Sequence, residues 1–176
     1  SSDVIYGETI HPVNELSELN PDHGYPKMKY DVERKFSKFN NFKIFRLSYV
    51  WSFENSFSKF LLSAYKKGDE IEIFDPFVRS IVDISDVVLF LTICCENPDA
   101  INKITNVCGP ESISRLDLIK SISKHINIKY NVSDDDENFF LYRPKNIFMK
   151  SLYLEGSLGK KVNNIHDSLY KIEDYI

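Results

Sequence analysis

Residues 42–50, FKIFRLSYV, constrain the fold more than any other stretch: a β-branched and aromatic run bounded by the polar pair Asn40-Asn41 reads as a strand of a buried parallel sheet. Upstream of it, residues 27–39 (KMKYDVERKFSKF) carry no Gly or Pro and place Met28, Val32, Phe36 and Phe39 at spacings of four, four and three. That is an amphipathic helix with those four residues as its apolar face. Downstream, Asn55 caps a helix through about Lys67, with Phe57, Phe60, Leu61 and Ala64 on one face and Lys66, Lys67 and Gly68 closing it. Helix and strand go on alternating, which is the pattern of an α/β fold. Residues 70–74 and 103–108 read as strands, the second ended by Gly109-Pro110. The segment 87–95 (VVLFLTICC) reads as a helix apolar nearly all round, expected to be buried on both sides. Ser114-x-x-Asp117 is a capping-box-like start for a helix whose Leu116, Ile119, Ile122, Ser123 and Ile126 share a face. A short strand at 128–132 and a final amphipathic helix at 166–175 complete the reading.

A chain of 176 residues, 43% hydrophobic and 14% aromatic, can bury a sizeable core and is expected to form one domain with a small lobe. Its net charge of −4 argues against a partner of the nucleic-acid kind, which calls for a basic stripe, so any anionic ligand must be met by local arginines. No apolar run reaches membrane-spanning length and no charged-then-apolar leader is present, so neither a membrane partner nor secretion is expected, and a cytoplasmic location is. Cys94, Cys95 and Cys108 form no C-x-x-C and suit a reducing compartment. His11, His23, His125 and His166 have no ligand spacing, and the acidic run 134–137 reads as a solvated loop, so metal catalysis is not expected.

Tyr25 stands at the mouth of the 27–39 helix, and Lys29, four residues on, points to the same side. A free phenol ionises near pH ~10, too high for acid-base work at neutral pH. A neighbouring cation stabilises the phenolate, so Tyr-x-x-x-Lys can serve as a proton-transfer device. The same spacing also describes a surface tyrosine and lysine at a helix start.

What separates the two readings is the upstream sequence. SSDVIYG (residues 1–7), a 23-residue step from Ser2 to Tyr25, and then YPKMK resemble the extended short-chain dehydrogenase/reductase family of nucleotide-sugar epimerases, dehydratases and reductases. In that family a strand ends in S-S-x-x-x-Y-G and Y-x-x-x-K opens the next helix. The stretch holding Glu15, Glu18 and Asn20-Pro21 resembles the family's loop into the tyrosine. Pro26 stands where the family commonly has Gly, a variant that a first helical turn tolerates.

The resemblance implies NAD or NADP as cofactor and a nucleotide sugar as substrate. It makes Ser2 the hydrogen-bond donor to the reacting oxygen, Tyr25 the general acid or base, and Lys29 the residue that holds the nicotinamide ribose. Arg46-x-Ser48-Tyr49-Val50 is similar to the family's R-x-S-[WY]-V strand, which implies Ser48 at the cofactor and Tyr49 against the sugar. Tyr49 is otherwise a strand-end aromatic packing on the core. Arg79, ahead of Val82 and Asp83 in RSIVDISD, resembles the epimerase arginine that meets the nucleotide's phosphates; otherwise it is a surface arginine paired with Asp75 or Asp83. Arg143-Pro144-Lys145-Asn146 resembles the late R-P-x-[ND] signature, whose arginine reaches the sugar-nucleotide diphosphate. Residues 152–161 match the family's S-K-L-x-x-x-G region poorly.

Nothing here resembles the glycine turn that receives a dinucleotide's pyrophosphate, so the chain is expected to be the C-terminal part of such an enzyme. The expected architecture is α/β: residues 1–50 and 81–97 belong to a Rossmann-type parallel sheet, and residues 51–80 and 98–176 form a small mixed substrate lobe. The R-x-S-Y-V and R-P-K-N segments favour a reductase of the dehydrorhamnose reductase type. A non-catalytic binding subunit of the same fold, like the regulatory subunit of methionine adenosyltransferase, is the alternative. Helices flanking the catalytic one build dimers in this family, which implies a homodimer.

Overall fold

The computed structural model describes residues 1–22, 24–134 and 137–176. A 3₁₀ turn (Asp3–Tyr6) and a long loop lead into α1 (Gly24–Phe36), followed by β1 (Ile44–Leu47), β2 (Val50–Trp51), α2 (Ser56–Lys67), β3 (Glu70–Asp75), β4 (Val78–Arg79), β5 (Val82–Asp83) and α3 (Ile84–Glu96). Then come β6 (Ile104–Val107), β7 (Ile113–Ser114), α4 (Arg115–Ile122), β8 (Lys129–Asp134), α5 (Glu137–Phe140), β9 (Asn146–Ile147) and α6 (Leu154–Leu158).

β1 pairs in parallel with β6, β2 with β5, and β3 with β8, while β4 lies between antiparallel β7 and parallel β9. Parallel neighbours joined through helices make this an α/β fold, as expected. The single strand expected at 42–50 is broken at Ser48-Tyr49 because its partner changes there. The Ser48 N–H still donates to Val107 O at 3.0 Å, whereas the Tyr49 carbonyl accepts from the Val82 N–H at 3.0 Å.

The caps follow the sequence. Asn55 accepts from the Ser58 N–H, Gly68 closes α2 in the left-handed conformation, and Ser114 accepts from the Asp117 N–H. α2 buries Ser58, Leu61, Leu62 and Ala64 and leaves Phe60 exposed. Another glycine is required by close approach. The Gly109 N–H donates to Ser80 O at 3.1 Å, and a Cβ at position 109 would lie 1.9 Å from the Ile81 carbonyl oxygen.

Two helical faces differ from expectation. In α1 it is Pro26 and Glu33 that are buried, while Met28, Val32 and Phe39 are exposed. An ion pair overrides the apolar stripe here. Buried Arg46 of β1 holds Glu33 through Nη2 at 2.8 Å and donates from Nη1 to Tyr6 Oη at 2.8 Å. That hydroxyl lies 2.9 Å from both Asn106 Oδ1 and the Asn14 carbonyl oxygen. α3 buries Val87 and Phe90 but exposes Val88 and Leu91, so only one side packs on the sheet, where Phe90 meets Phe45 edge to face.

The helix expected at 166–175 is instead two 3₁₀ segments, Ile165–Asp167 and Leu169–Tyr175. Ser168 separates them, its hydroxyl donating to the Ile165 carbonyl at 3.0 Å, and Ile165, Leu169 and Ile172 still reach the core beside α4. His23 and the middle of the acidic run, Asp135 and Asp136, lie outside the described residues. Among the described residues no helix is long and apolar enough to cross a membrane, and no group of His, Cys, Asp and Glu could hold a metal ion.

Candidate active site

A cleft of about 490 Å³ opens at the carboxyl end of β1, where ligands bind in open parallel sheets. Ser2, Tyr25, Ser48, Tyr49, Arg79 and Arg143 all line it, although they come from five separate stretches of chain. Ser2 forms a parallel bridge with Leu47, which sets it at the end of β1, and its hydroxyl donates to Asp3 Oδ1 at 3.1 Å. Tyr25 is 53% exposed at the first turn of α1. The Lys29 ammonium lies 5.3 Å from the Tyr25 ring centroid, so the pair does share one side of the helix. Lys29 also lines an adjoining apolar groove of about 280 Å³ along β1, with Val32, Phe42, Phe45 and Leu47 among its walls.

Below Ser2 the cleft floor is charged and closed. Asp3 is buried, accepts from the Ser48 hydroxyl at 3.1 Å, and pairs with Arg79 Nε at 3.7 Å. Burial raises the Asp3 carboxyl above its ordinary range despite Arg79, and burial lowers Arg79 despite Asp3. The rest of the Arg79 guanidinium donates to main-chain carbonyls: Nη1 to Val78 and Lys145 at 2.6 and 3.0 Å, Nη2 to Pro144 at 2.6 Å. Ser48 therefore stands in the cleft wall with its hydroxyl engaged, and Arg79 with three of its five N–H groups given to carbonyls. Arg143 is exposed at the rim, one Nη donating to Phe139 O at 2.9 Å and the guanidinium stacked 4.6 Å from the Phe139 ring.

Sequence reasoning missed Asp3, Phe77 and Arg115. Arg115 opens α4, its N–H donating to Phe77 O at 2.9 Å. Its guanidinium lies 3.9 Å from the Phe57 ring, 4.8 Å from Phe77 and 5.6 Å from Tyr49. Burial pushes its pKa down to about 10, and the neighbouring Arg79 and Arg143 add to that. One signal was available: a cation in the first turn of a helix opposes the macrodipole, so something else must hold it there.

The comparisons with known proteins show the same fold from outside. No family model matches the sequence, and no curated protein gives a significant match. Solved structures do match, and they are Rossmann-type enzymes of nucleotide-sugar chemistry. dTDP-glucose 4,6-dehydratase from Bacillus anthracis in complex with NAD superposes with a TM-score of 0.81 at 11% identity, over 99% of this chain and 59% of that one. dTDP-4-dehydrorhamnose reductase from the same organism in complex with NADP gives 0.80 at 21% identity, over 99% and 63%. UDP-glucuronic acid 4-epimerase from Bacillus cereus in complex with UDP-glucuronic acid and NAD gives 0.76 at 20% identity, over 99% and 59%. These identities establish the fold, and the chain spans about three-fifths of the length of the structures it matches.

Proposed function

We propose that these residues are the substrate-binding and proton-transfer part of an NAD(P)-dependent enzyme acting on a nucleotide sugar, nearest in its motifs to the dehydrorhamnose reductases. The observation that carries this reading is the gathering of Ser2, Tyr25, Ser48, Tyr49, Arg79 and Arg143 around one cleft at the carboxyl end of β1. Tyr25 passes a proton to or from a sugar oxygen, Ser2 hydrogen-bonds that oxygen, and Lys29 places a positive charge beside the phenol ring. Tyr49 packs against the sugar, and Arg143 on the rim meets a phosphate.

The chain's own residues fit one end of the cofactor. Lys29 and the groove along β1 suit a nicotinamide ribose, whereas the glycines that could cradle a pyrophosphate are committed elsewhere, Gly7 against Asn20 and Gly109 against Ile81. The dinucleotide, when bound, supplies the hydride. In this reading residues 1–50 and 81–97 continue a longer parallel sheet whose further strands cover the groove along β1, and residues 51–80 and 98–176 form the substrate lobe. The location is cytoplasmic, and the dimer forms through helices flanking α1.

Calorimetric titration of the 176-residue chain tests the division of labour. UDP- or dTDP-sugars bind in the micromolar range, while NADH and NADPH do not. Micromolar NADH binding would show that the cofactor's main seat lies within these residues, and failure of every sugar nucleotide to bind would sink the substrate assignment.

A further inference from the structure

We propose that Arg115, and not Arg79, is the guanidinium that meets the substrate's oxyanion at the Phe77 end of the cleft. The inference rests on the sugar-nucleotide reading and deepens it. Arg79 has less left to offer a ligand: three of its five N–H groups go to carbonyls and its Nε faces the Asp3 carboxylate at 3.7 Å. Its carboxylate partner Asp3 and the carbonyls of Val78, Pro144 and Lys145 surround the guanidinium. Arg115 is the opposite case. Among the described residues no carboxylate or carbonyl accepts from its guanidinium, and what holds it is the faces of Phe57, Phe77 and Tyr49.

Rings stabilise a cation by ~0.5–2 kcal/mol, but they accept none of the five N–H bonds that a guanidinium offers. Two further arginines, Arg79 and Arg143, repel it. Against these three cations stands Asp3, which belongs to Arg79 and Ser48. The other acid nearby, Glu8, gives its two oxygens to the N–H groups of Lys145 and Asn146 at 2.5 and 2.8 Å. The Phe77 end of the cleft thus holds a cationic surplus, and Arg115, half-buried there, keeps N–H groups that no protein group accepts among the described residues, so an anion is the partner that fits.

Space is available for one. A recess of about 10 Å³ lies between Arg115, Tyr49, Phe77 and Arg79, the last three of which also line the main cleft. That volume takes a group of about the size of one water, such as a single phosphate or carboxylate oxygen. Tyr49, the expected sugar contact, shares the recess with Arg115, so the oxyanion next to the sugar is the group within reach. A diphosphate or a uronate carboxylate can supply that one oxygen equally.

Calorimetry with inorganic pyrophosphate, UDP, UDP-glucose, UDP-glucuronate and uridine, on the unmodified chain, Arg115→Met and Arg115→Lys, decides it. Methionine keeps the apolar stem between the rings and removes the donors. We expect Arg115→Met to weaken the anions it serves at least tenfold, Arg115→Lys to recover part of that loss, and uridine to bind all three proteins alike. An equal loss for UDP-glucose and UDP-glucuronate identifies the diphosphate; a loss confined to UDP-glucuronate identifies the carboxylate. Affinities for every anion within twofold of the unmodified chain, or a uridine loss as large as that for UDP, would overturn the inference. Should Arg115→Met fail to fold, Arg115→Lys carries the test: it keeps charge without the fork, and unchanged anion binding by it refutes the proposal. The two readings fail separately. Pyrophosphate held through Arg115 without any preference for nucleotides leaves the inference standing and removes the sugar-nucleotide reading, whereas UDP-glucose binding indifferent to Arg115 does the reverse. No anion binding by the unmodified chain refutes both.

Discussion

Beneath α1 and beside Phe77 the molecule holds arginine in opposite ways. Arg46 sits under α1 with Glu33 holding Nε and Nη2 and the Tyr6 hydroxyl holding Nη1, every partner supplied by the protein. Arg115 sits among three rings with no acceptor in the described structure and two like charges for neighbours. A buried charge whose partners are all internal fixes geometry, whereas a half-buried one caged only by rings keeps its donors open to solvent. The first region therefore orients the helix that carries Tyr25 and Lys29, and the second leaves a guanidinium without a protein acceptor, among the described residues, at the edge of the cleft.

The sharpest way to break this division is to exchange catalysis for binding. In the polypeptide that also carries the glycine turn, Tyr25→Phe should lower kcat by ~10²–10⁴-fold while leaving substrate affinity within about twofold. Arg143→Ala should do the converse, raising the substrate Kd with a smaller change in kcat. A Tyr25→Phe enzyme with near-normal turnover would end the proton-transfer assignment.

Stability separates the two arginines next. Removing Glu33 strands Arg46 as an uncompensated buried charge, so Glu33→Ala should destabilise by about 3–5 kcal/mol in urea unfolding. Arg115→Met removes a charge that nothing internal compensates, so it should change stability by less than about 1 kcal/mol in either direction. Equal losses in the two variants would mean that Arg115 is scaffold too.

The smallest effect concerns thiol chemistry at the edges of the same regions. Burial, with Glu15 and Asp3 nearby, pushes the Cys108 thiol up to about 12, whereas Cys95 is exposed. At pH 8 almost none of Cys108 is thiolate, so iodoacetamide should modify Cys95 within minutes and reach Cys108 only after unfolding. Rapid labelling of Cys108 in the native chain would show that its packing against Ile5, Ile147 and Met149 opens.

What the sequence made legible were the features that depend on near neighbours. Asn55, Gly68 and Ser114 cap helices within a few residues of themselves, and β1, β3, β6 and β8 were visible as β-rich runs, whereas the two-residue strands β4, β7 and β9 were not. The α1 stripe was misread because Glu33 is buried only through Arg46, 13 residues away on β1, and helical periodicity carries no record of that pairing. α3 looked uniformly buried because its two faces are equally apolar, although one of them, with Val88 and Leu91, stays open. The cleft residues were found because two motifs and their spacing pointed to them. Arg115 was not, because its cage is built from Tyr49, Phe57 and Phe77, residues that meet only once β2, α2 and β4 have packed.

The contact at Gly109 has a mechanical consequence. With no side chain between them, the backbone of residues 108–110 rests directly on that of 80–82, tied by the Gly109 to Ser80 hydrogen bond. Such a clasp leaves no slack. A displacement of β6 along its own axis is handed to Ser80 and so to its neighbour Arg79, and through Arg79 to Asp3 and Ser48 at the cleft floor. The strand pair β1–β6 is thereby coupled to the strand that carries Arg79, whose guanidinium also holds the Pro144 and Lys145 carbonyls next to Arg143, so both walls of the cleft share one set of main-chain ties.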